Sequence, residues 1–354
     1  MSEETTTPHV PPSAPLVEVW RGPLVESRHR GHVAAVDGAG RVVASLGAPE
    51  TVTFMRSSAK PLQALPLVTS GAADRFGFDQ RELALACASH SGQDLHADTV
   101  AGMLKKIGLD ESALKCGVHE PFDQETARTL RERGESPSIL RNNCSGKHTG
   151  MLALALHLGA PPETYDHPEG VVQQAILRAV AQFSGLPVGE VPVGIDGCGV
   201  PVFGMPVRAM ALTYARLAAP PAGFDEPTRR AARRIFAAMG SHPEMIGGTV
   251  ERFDTQVMRA AGGRVVSKVG AEGVYTAGVL PCEEWPEGLG LAFKIEDGED
   301  RRARPTVAIE CLRQLGVLNE DTLEALSPYA KFPIRNHRGE LVGEIRPLFK
   351  LGRS

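Results

Sequence analysis

Ser57-Ser58-Ala59-Lys60-Pro61 sets a hydroxyl and an amine three residues apart where a helix is predicted to begin. Residues at i and i+3 share a helix face, so Ser57 Oγ and Lys60 Nζ are expected within hydrogen-bonding reach of each other. Pro61 suits a first helical turn, Pro66 predicts a kink, and Gly71 after residues 62–70 reads as the stop.

Before this stretch, short β-type runs at 17–20, 32–36, 41–45 and 51–54, with the turn Asp37-Gly38-Ala39-Gly40, predict an antiparallel meander that feeds the helix. After it the pattern turns helical, at 79–88, 124–133, 171–183, 207–217 and 228–239. Asp166-His167-Pro168-Glu169 reads as the N-terminal cap of 171–183. Beyond Gly262-Gly263 strands return at 264–269, 275–279 and 289–295, then a helix over 306–315 that stops at Gly316, then a strand pair at 334–336 and 341–345. Strands, helices and strands again predict an α+β protein whose antiparallel sheet is built from both chain ends, with a helical insertion over roughly 72–245. There are no internal repeats.

The 354 residues are enough for a large core, and 42% hydrophobic content with 38 Gly and 27 Pro implies tight turns rather than disorder. Thirty-eight Lys and Arg against 42 Asp and Glu give a formal net charge of −4, which argues against a nucleic-acid partner and for a small-molecule one. Residues 1–15 have neither a basic start nor an apolar run, so they read as a mobile tail rather than a signal peptide, with residues 16–354 forming the domain. No stretch is long enough to span a bilayer, and six scattered cysteines suggest free thiols. The reading is a cytoplasmic protein with no membrane partner.

Three motifs follow in order: Ser57-x-x-Lys60, Ser89-His90-Ser91, and Lys268-Val269-Gly270 on a predicted strand. Their order is similar to the S-x-x-K, S-D-N, K-T-G set of β-lactamases and penicillin-binding proteins. Any one alone is weak, since a Ser-x-x-Lys usually means a capping serine and a solvated lysine. A serine hydroxyl attacks an acyl carbon poorly unless a neighbour takes its proton. A lysine serves only if burial or a second ammonium lowers its affinity for that proton. Lys60 and Lys268 supply such a pair, with Ser89 relaying between them. Backbone N–H groups of Ser57 and of the strand near Lys268 are the expected oxyanion donors.

A second constellation is Asn142-Asn143-Cys144-Ser145-Gly146-Lys147-His148-Thr149-Gly150, paired at a distance with Asp196-Gly197-Cys198-Gly199. A phosphate-binding loop is rejected, because Arg141 stands where the first glycine is required and His148 replaces the Ser or Thr. Two cysteines in a turn-rich loop suit a soft divalent metal such as zinc. Two buried free thiols are the other reading, and composition favours it.

These motifs, with Arg56 before the first and Ser267-Lys268-Val269-Gly270-Ala271-Glu272-Gly273 as the last, resemble the rhizobial-type (class 3) L-asparaginases of the L-asparaginase II family, from about Val17 to the C-terminus. The resemblance implies a fold like that of serine β-lactamases and glutaminases, a homodimer, and hydrolysis of L-asparagine to L-aspartate and ammonia. It places two Ser-Lys tandems on Ser57 with Lys60 and on Ser89 with Lys268, Ser57 being the nucleophile. It also implies a zinc ion held by Cys144, Lys147 and Cys198 that assists substrate binding. A lysine ligand must be neutral, so such a site weakens as pH drops.

Free asparagine is a zwitterion, so its pocket needs an anion for the ammonium and donors for the carboxylate. Asn143, His148 and Asp196 are the candidates by proximity to the second constellation. Glu26-Ser27-Arg28-His29 reads as a charged loop in solvent, Arg229, Arg230, Arg233 and Arg234 as a solvated helix face, and Cys87, Cys116, Cys282 and Cys311 as packing residues. The competing functions are a glutaminase or Ser-Lys peptidase, and a non-catalytic zinc-responsive binding protein. Retention of all four Ser and Lys positions argues against the last.

Overall fold

The computed structural model describes residues 12–330 and 332–353. Twelve strands run along them: β1 Ala14–Arg21, β2 Leu24–Asp37, β3 Val42–Leu46, β4 Val52–Phe54, β5 Val193–Ile195, β6 Pro201–Pro206, β7 Val265–Gly270, β8 Val274–Val279, β9 Leu289–Ile295, β10 Phe332–Arg335, β11 Leu341–Pro347 and β12 Gly352–Arg353. The main sheet is antiparallel in the order β10-β11-β1-β2-β9-β8-β7, with β3 pairing both β2 and β12. Strands β1 and β2 from the start of the chain therefore lie between β10-β11 and β9-β8-β7 from its end, and the helices between them in sequence form an insertion. This is the α+β architecture expected from the sequence. Because β1 starts at Ala14, only residues 1–11 of the expected tail lie outside the described residues.

Both faces of the sheet are covered, and the two-residue period of a strand sorts its side chains between them. Ala34 and Val36 of β2 join the helical-side core with Leu62, Leu85, Met210 and Ile235. Val33 and Ala35 join the opposite core with Phe293, Val307 and Leu312. The helix Val207–Ala218 lies across β2, β8 and β9, while the helix Ala303–Gln314 packs on β1, β8 and β11.

The expected helices appear at Gln80–Ala86, Gln124–Glu132, Val171–Ser184, Val207–Ala218 and Glu226–Ser241. Asp79 caps the first of these through a reciprocal box with Glu82. Four readings are corrected. The helix Val171–Ser184 starts from Gly170 with no side-chain cap, and Asp166 instead pairs with Lys115 at 2.9 Å. Residues 26–29 lie within β2 rather than in a loop, where His29 is buried and its Nδ1 lies 2.7 Å from Asp297 Oδ2. Cys282 is exposed, whereas Cys87, Cys116 and Cys311 are buried as expected. Finally, β4 leaves the meander and joins β6 and β5 in a separate three-stranded sheet. The Pro- and Gly-rich segment 192–206 hides these partners, because its composition reads as turn while its strands are made by pairing.

The helices Asp94–Lys106 and Ser145–His157 were not expected. The second is buried continuously from Ser145 to Ala155, so it has no polar face and no amphipathic period to read.

Candidate active site

The chain after Asp79–Cys87 runs extended beside the segment 246–247, the Ser89 N–H donating to Ile246 O at 3.0 Å and the Ser91 N–H to Gly247 O at 2.8 Å. This fixes Ser89 between two lysines. Lys60 Nζ donates to Ser89 Oγ at 3.0 Å, to Ala88 O at 2.6 Å and to Asn143 O at 3.3 Å. Lys268 Nζ donates to Ser89 Oγ at 2.9 Å and to Val269 O at 3.0 Å. Both amines are buried, Lys60 1% and Lys268 0% exposed.

Burial lowers the proton affinity of each lysine. For Lys268 it outweighs the opposing pull of Asp254, and with Lys60, Arg252 and Arg304 adding to it the amine falls to about 7. For Lys60 burial again leads, with Cys144 acting against it and the Lys147 charge adding to it. Two amines made easier to deprotonate beside one hydroxyl form the proton-handling centre that serine chemistry needs.

Ser57 lies half-buried in the turn that precedes Lys60. Residues Arg56–Ala59 form a 3-10 turn, and the α-helix starts only at Lys60, runs to Gln63, and resumes as Leu65–Thr69 beyond the break before Pro66. Among the described residues no hydrogen bond joins Ser57 Oγ to Lys60 Nζ, whose donors are directed to Ala88, Ser89 and Asn143 instead. The turn is held by its neighbours: Ser58 Oγ donates to Met55 O at 2.7 Å, and Tyr214 OH donates to Ser58 O at 2.7 Å. It packs on β7 so closely that a Cβ at Gly270 would stand 2.6 Å from Met55 O. Arg56, immediately before Ser57, has a φ of 52°, a strained value for a residue other than glycine. Its guanidinium pairs with Asp196 at 3.0 Å.

The remaining expected residues lie on two elements. Cys144 and Lys147 belong to the start of the helix Ser145–His157, and Cys198 to the turn between β5 and β6. Zinc on these three is corrected by the structure. Lys147 Nζ donates to Cys198 Sγ at 2.9 Å, and although burial disfavours its charge, Cys144 and Cys198 hold its proton affinity above the usual lysine range. A charged amine has no lone pair for a metal. Among the described residues no group of three or more His, Cys, Asp or Glu is placed to hold an ion. The trio instead balances charge internally: the hydrogen bond from Cys198 depresses the Cys144 thiol, and the same bond raises Cys198.

Asn143 meets the cluster through its carbonyl, which accepts from Lys60, while its N–H donates to His119 Nε2 at 3.0 Å. Asp196 lies on the Ser57 side through Arg56. Burial opposes its charge, but the Gly197 N–H and Arg56 hold the carboxyl below its ordinary range. His148 is fully buried with Nδ1 2.7 Å from Tyr165 OH, and burial pushes its pKa well down.

Sequence reasoning quoted Arg56 only as part of a motif and missed His119, Tyr214, Arg252 and Asp254. Arg252 donates to Ser89 O at 2.6 Å, and Asp254 Oδ2 lies 3.6 Å from Lys268 Nζ. None of these sits in a spacing that announces chemistry, and only the tertiary fold brings them to the cluster. Val269 N–H is engaged by Asp254, which removes it from the expected oxyanion donors. Lysine amines converging on a serine hydroxyl in a buried centre form an amidohydrolase site of the Ser/Lys type.

No curated protein matches the chain. Among solved structures it is similar to a probable glutaminase from Bacillus subtilis complexed with 6-diazo-5-oxo-L-norleucine, at 13% identity over 81% of this chain and 85% of that one, with a TM-score of 0.38. It is similar to a Bacillus glutaminase at 14% identity over 85% and 89%, TM-score 0.34. For a protein named Mglu, in its tris and glutamate form, the figures are 13% identity over 88% of this chain and 64% of that one, TM-score 0.43, so the chain spans less than two thirds of that protein. Likenesses this remote carry no argument about the site. A family model described as L-asparaginase II matches residues 17–347, a span that takes in Ser57, Lys60, Ser89 and Lys268, and the chain belongs to the L-asparaginase II family.

Proposed function

We propose that the chain is an L-asparaginase of the rhizobial type, converting L-asparagine and water to L-aspartate and ammonia through an ester on Ser57. The observation that carries this is Ser89 Oγ held at 3.0 and 2.9 Å by two buried lysine amines, beside the half-buried Ser57 turn. Ser57 Oγ attacks the side-chain carboxamide carbon as its proton passes to the neutral Lys60 amine. The carbonyl electron pair moves onto oxygen. The C–N bond then breaks as a proton from the Lys60, Ser89 and Lys268 network reaches the nitrogen, and ammonia leaves. Water repeats the sequence on the ester, giving its proton to the network and releasing aspartate and Ser57. Catalytic hydrogen bonds often tighten only with substrate present, which accommodates the open Ser57–Lys60 geometry.

Arg56 before Ser57 and the Asp196 it pairs with at 3.0 Å offer opposite charges to a zwitterionic amino acid, and Asn143 is the third candidate. His148, held neutral by burial with Nδ1 2.7 Å from Tyr165 OH, carries no charge to the substrate. The resemblance to the family carries the further proposal of a homodimer acting in the cytoplasm. Among the described residues no helix is long and apolar enough to cross a membrane.

L-Glutamine is the second reading, since its side-chain carboxamide differs from that of asparagine by one methylene and the same Ser-Lys centre would serve either. Ammonia release by the full chain, assayed with asparagine, glutamine and short peptides, tests both. Asparagine turnover is expected to be fastest. Glutamine turnover with asparagine inert would move the substrate assignment, and no release from any amide would overturn the reading.

A further inference from the structure

We propose that Asp254 is a positioning residue for catalysis, holding Lys268 in place beside Ser89 and favouring the protonated form of its amine. Asp254 stands in the first turn of the helix Phe253–Ala260 and is 2% exposed. Its carboxylate accepts from Ser267 Oγ at 2.8 Å and from the Val269 N–H at 3.0 Å, the two residues that flank Lys268 on β7. Its Oδ2 then lies 3.6 Å from Lys268 Nζ, in a pair of which neither member reaches solvent. One side chain thus holds the Ser267 hydroxyl on one side of the lysine and the Val269 backbone on the other, and faces its amine.

The charges that act on Lys268 come from several elements. Lys60 faces it from the helix Lys60–Gln63, Arg252 from the loop before Asp254, and Arg304 from the helix Ala303–Gln314, all groups that when protonated oppose its charge; Asp254 alone among the described groups acting on it is an anion. The nearby Cys87 thiol, pushed up to about 12 by burial, and the Tyr214 and Tyr275 phenols, raised by burial, are neutral. A buried charge persists only when it is paired. Asp254 is the anion that faces Lys268, while the depressed Cys144 thiol acts on Lys60.

The inference rests on the amidohydrolase reading above and deepens it. In Asp254→Asn the amide oxygen still accepts from Ser267 and Val269, so the shape is kept and only the charge is lost. Removing an opposite charge at this range lowers an amine's pKa by about one unit or more. The test is kcat and KM against pH for the full chain, with whichever amide it hydrolyses. In Asp254→Asn the alkaline limb of kcat is expected to move to lower pH by about one unit or more, with kcat about tenfold down above that limb and KM within about twofold. Asp254→Glu is expected to return the limb toward its original position. A purely structural role lowers stability without moving the limb, so superimposable limbs in wild type and Asp254→Asn overturn the proposal, as does a limb that Asp254→Glu fails to restore. If Asp254→Asn does not fold, nitrogen NMR of Lys268 Nζ in the wild-type chain, assigned with Lys268→Arg, decides. An ammonium at the pH of maximal kcat is expected, and a neutral amine there overturns the proposal. Failure of the wild-type chain to release ammonia from any amide is a separate outcome, which sinks the amidohydrolase reading itself.

Discussion

Lys268 Nζ lies 2.9 Å from Ser89 Oγ, although 179 positions separate the two residues in the chain. Lys60 Nζ reaches the same oxygen at 3.0 Å. A hydroxyl that bridges two amines passes protons between them and is poorly replaced by a methyl group. Ser89→Ala is expected to lower kcat by about a hundredfold or more with KM little changed, read from ammonia release under saturating amide. A kcat within threefold of wild type would remove Ser89 from the proton path.

Tyr214 OH donates to Ser58 O at 2.7 Å inside the core, and so ties the helix Val207–Ala218 to the turn that presents Ser57. Tyr214→Phe leaves that carbonyl without its donor. The expected cost is about 1–2 kcal/mol in urea unfolding, with a fall in kcat as the turn loosens. Unchanged stability would show that the bond does not hold the turn.

Gly248 has a φ of 145°, and a Cβ added there would stand 2.1 Å from Ser91 Oγ. Neither the backbone angle nor the space suits another residue. Gly248→Ala is expected to lose about 1–3 kcal/mol by thermal or urea unfolding and to displace the segment that pairs with Ser89. Full stability in this variant would mean that the segment adapts at no cost.

Among the described residues, His90, His96 and His148 lie buried and uncharged. Burial takes His96 down to about 4 and pushes His90 and His148 well below their ordinary value. In the unfolded chain each takes up a proton near pH 6.5, so over the window from about 6.5 to 4 the unfolded state binds more protons and stability rises with pH. Their contribution is fully present above pH 6.5 and is lost as pH falls toward 4, roughly 3 kcal/mol for His96 alone. Urea unfolding at pH 7, 5.5 and 4.5 reads this, and a stability constant across that range would contradict it.

Much of the main sheet was legible because its strands alternate, or run apolar, between clear turn residues, as at Leu289–Ile295. Lys60, Ser89 and Lys268 were legible as motifs, and the fold joins them. The contact between Ser57 and Lys60 was not, because helical spacing says which residues share a face but not that a 3-10 turn precedes Lys60 or that Ala88 O draws its amine away. The metal reading failed for a similar reason. Cysteine spacing names donors without their protons, and here Lys147 keeps its own beside the thiol pair. Asp254 was invisible in the sequence, since one aspartate on a short helix gains meaning only from the strand it packs against.

The central claim is that Ser57 carries the acyl group. Rapid acid quenching of the chain during amide turnover, followed by peptide mass spectrometry, locates the ester most directly. An acyl adduct on the peptide containing Ser57, absent from Ser57→Ala along with turnover, is the predicted result; an adduct on Ser89, or a Ser57→Ala chain that still releases ammonia at the wild-type rate, would contradict it.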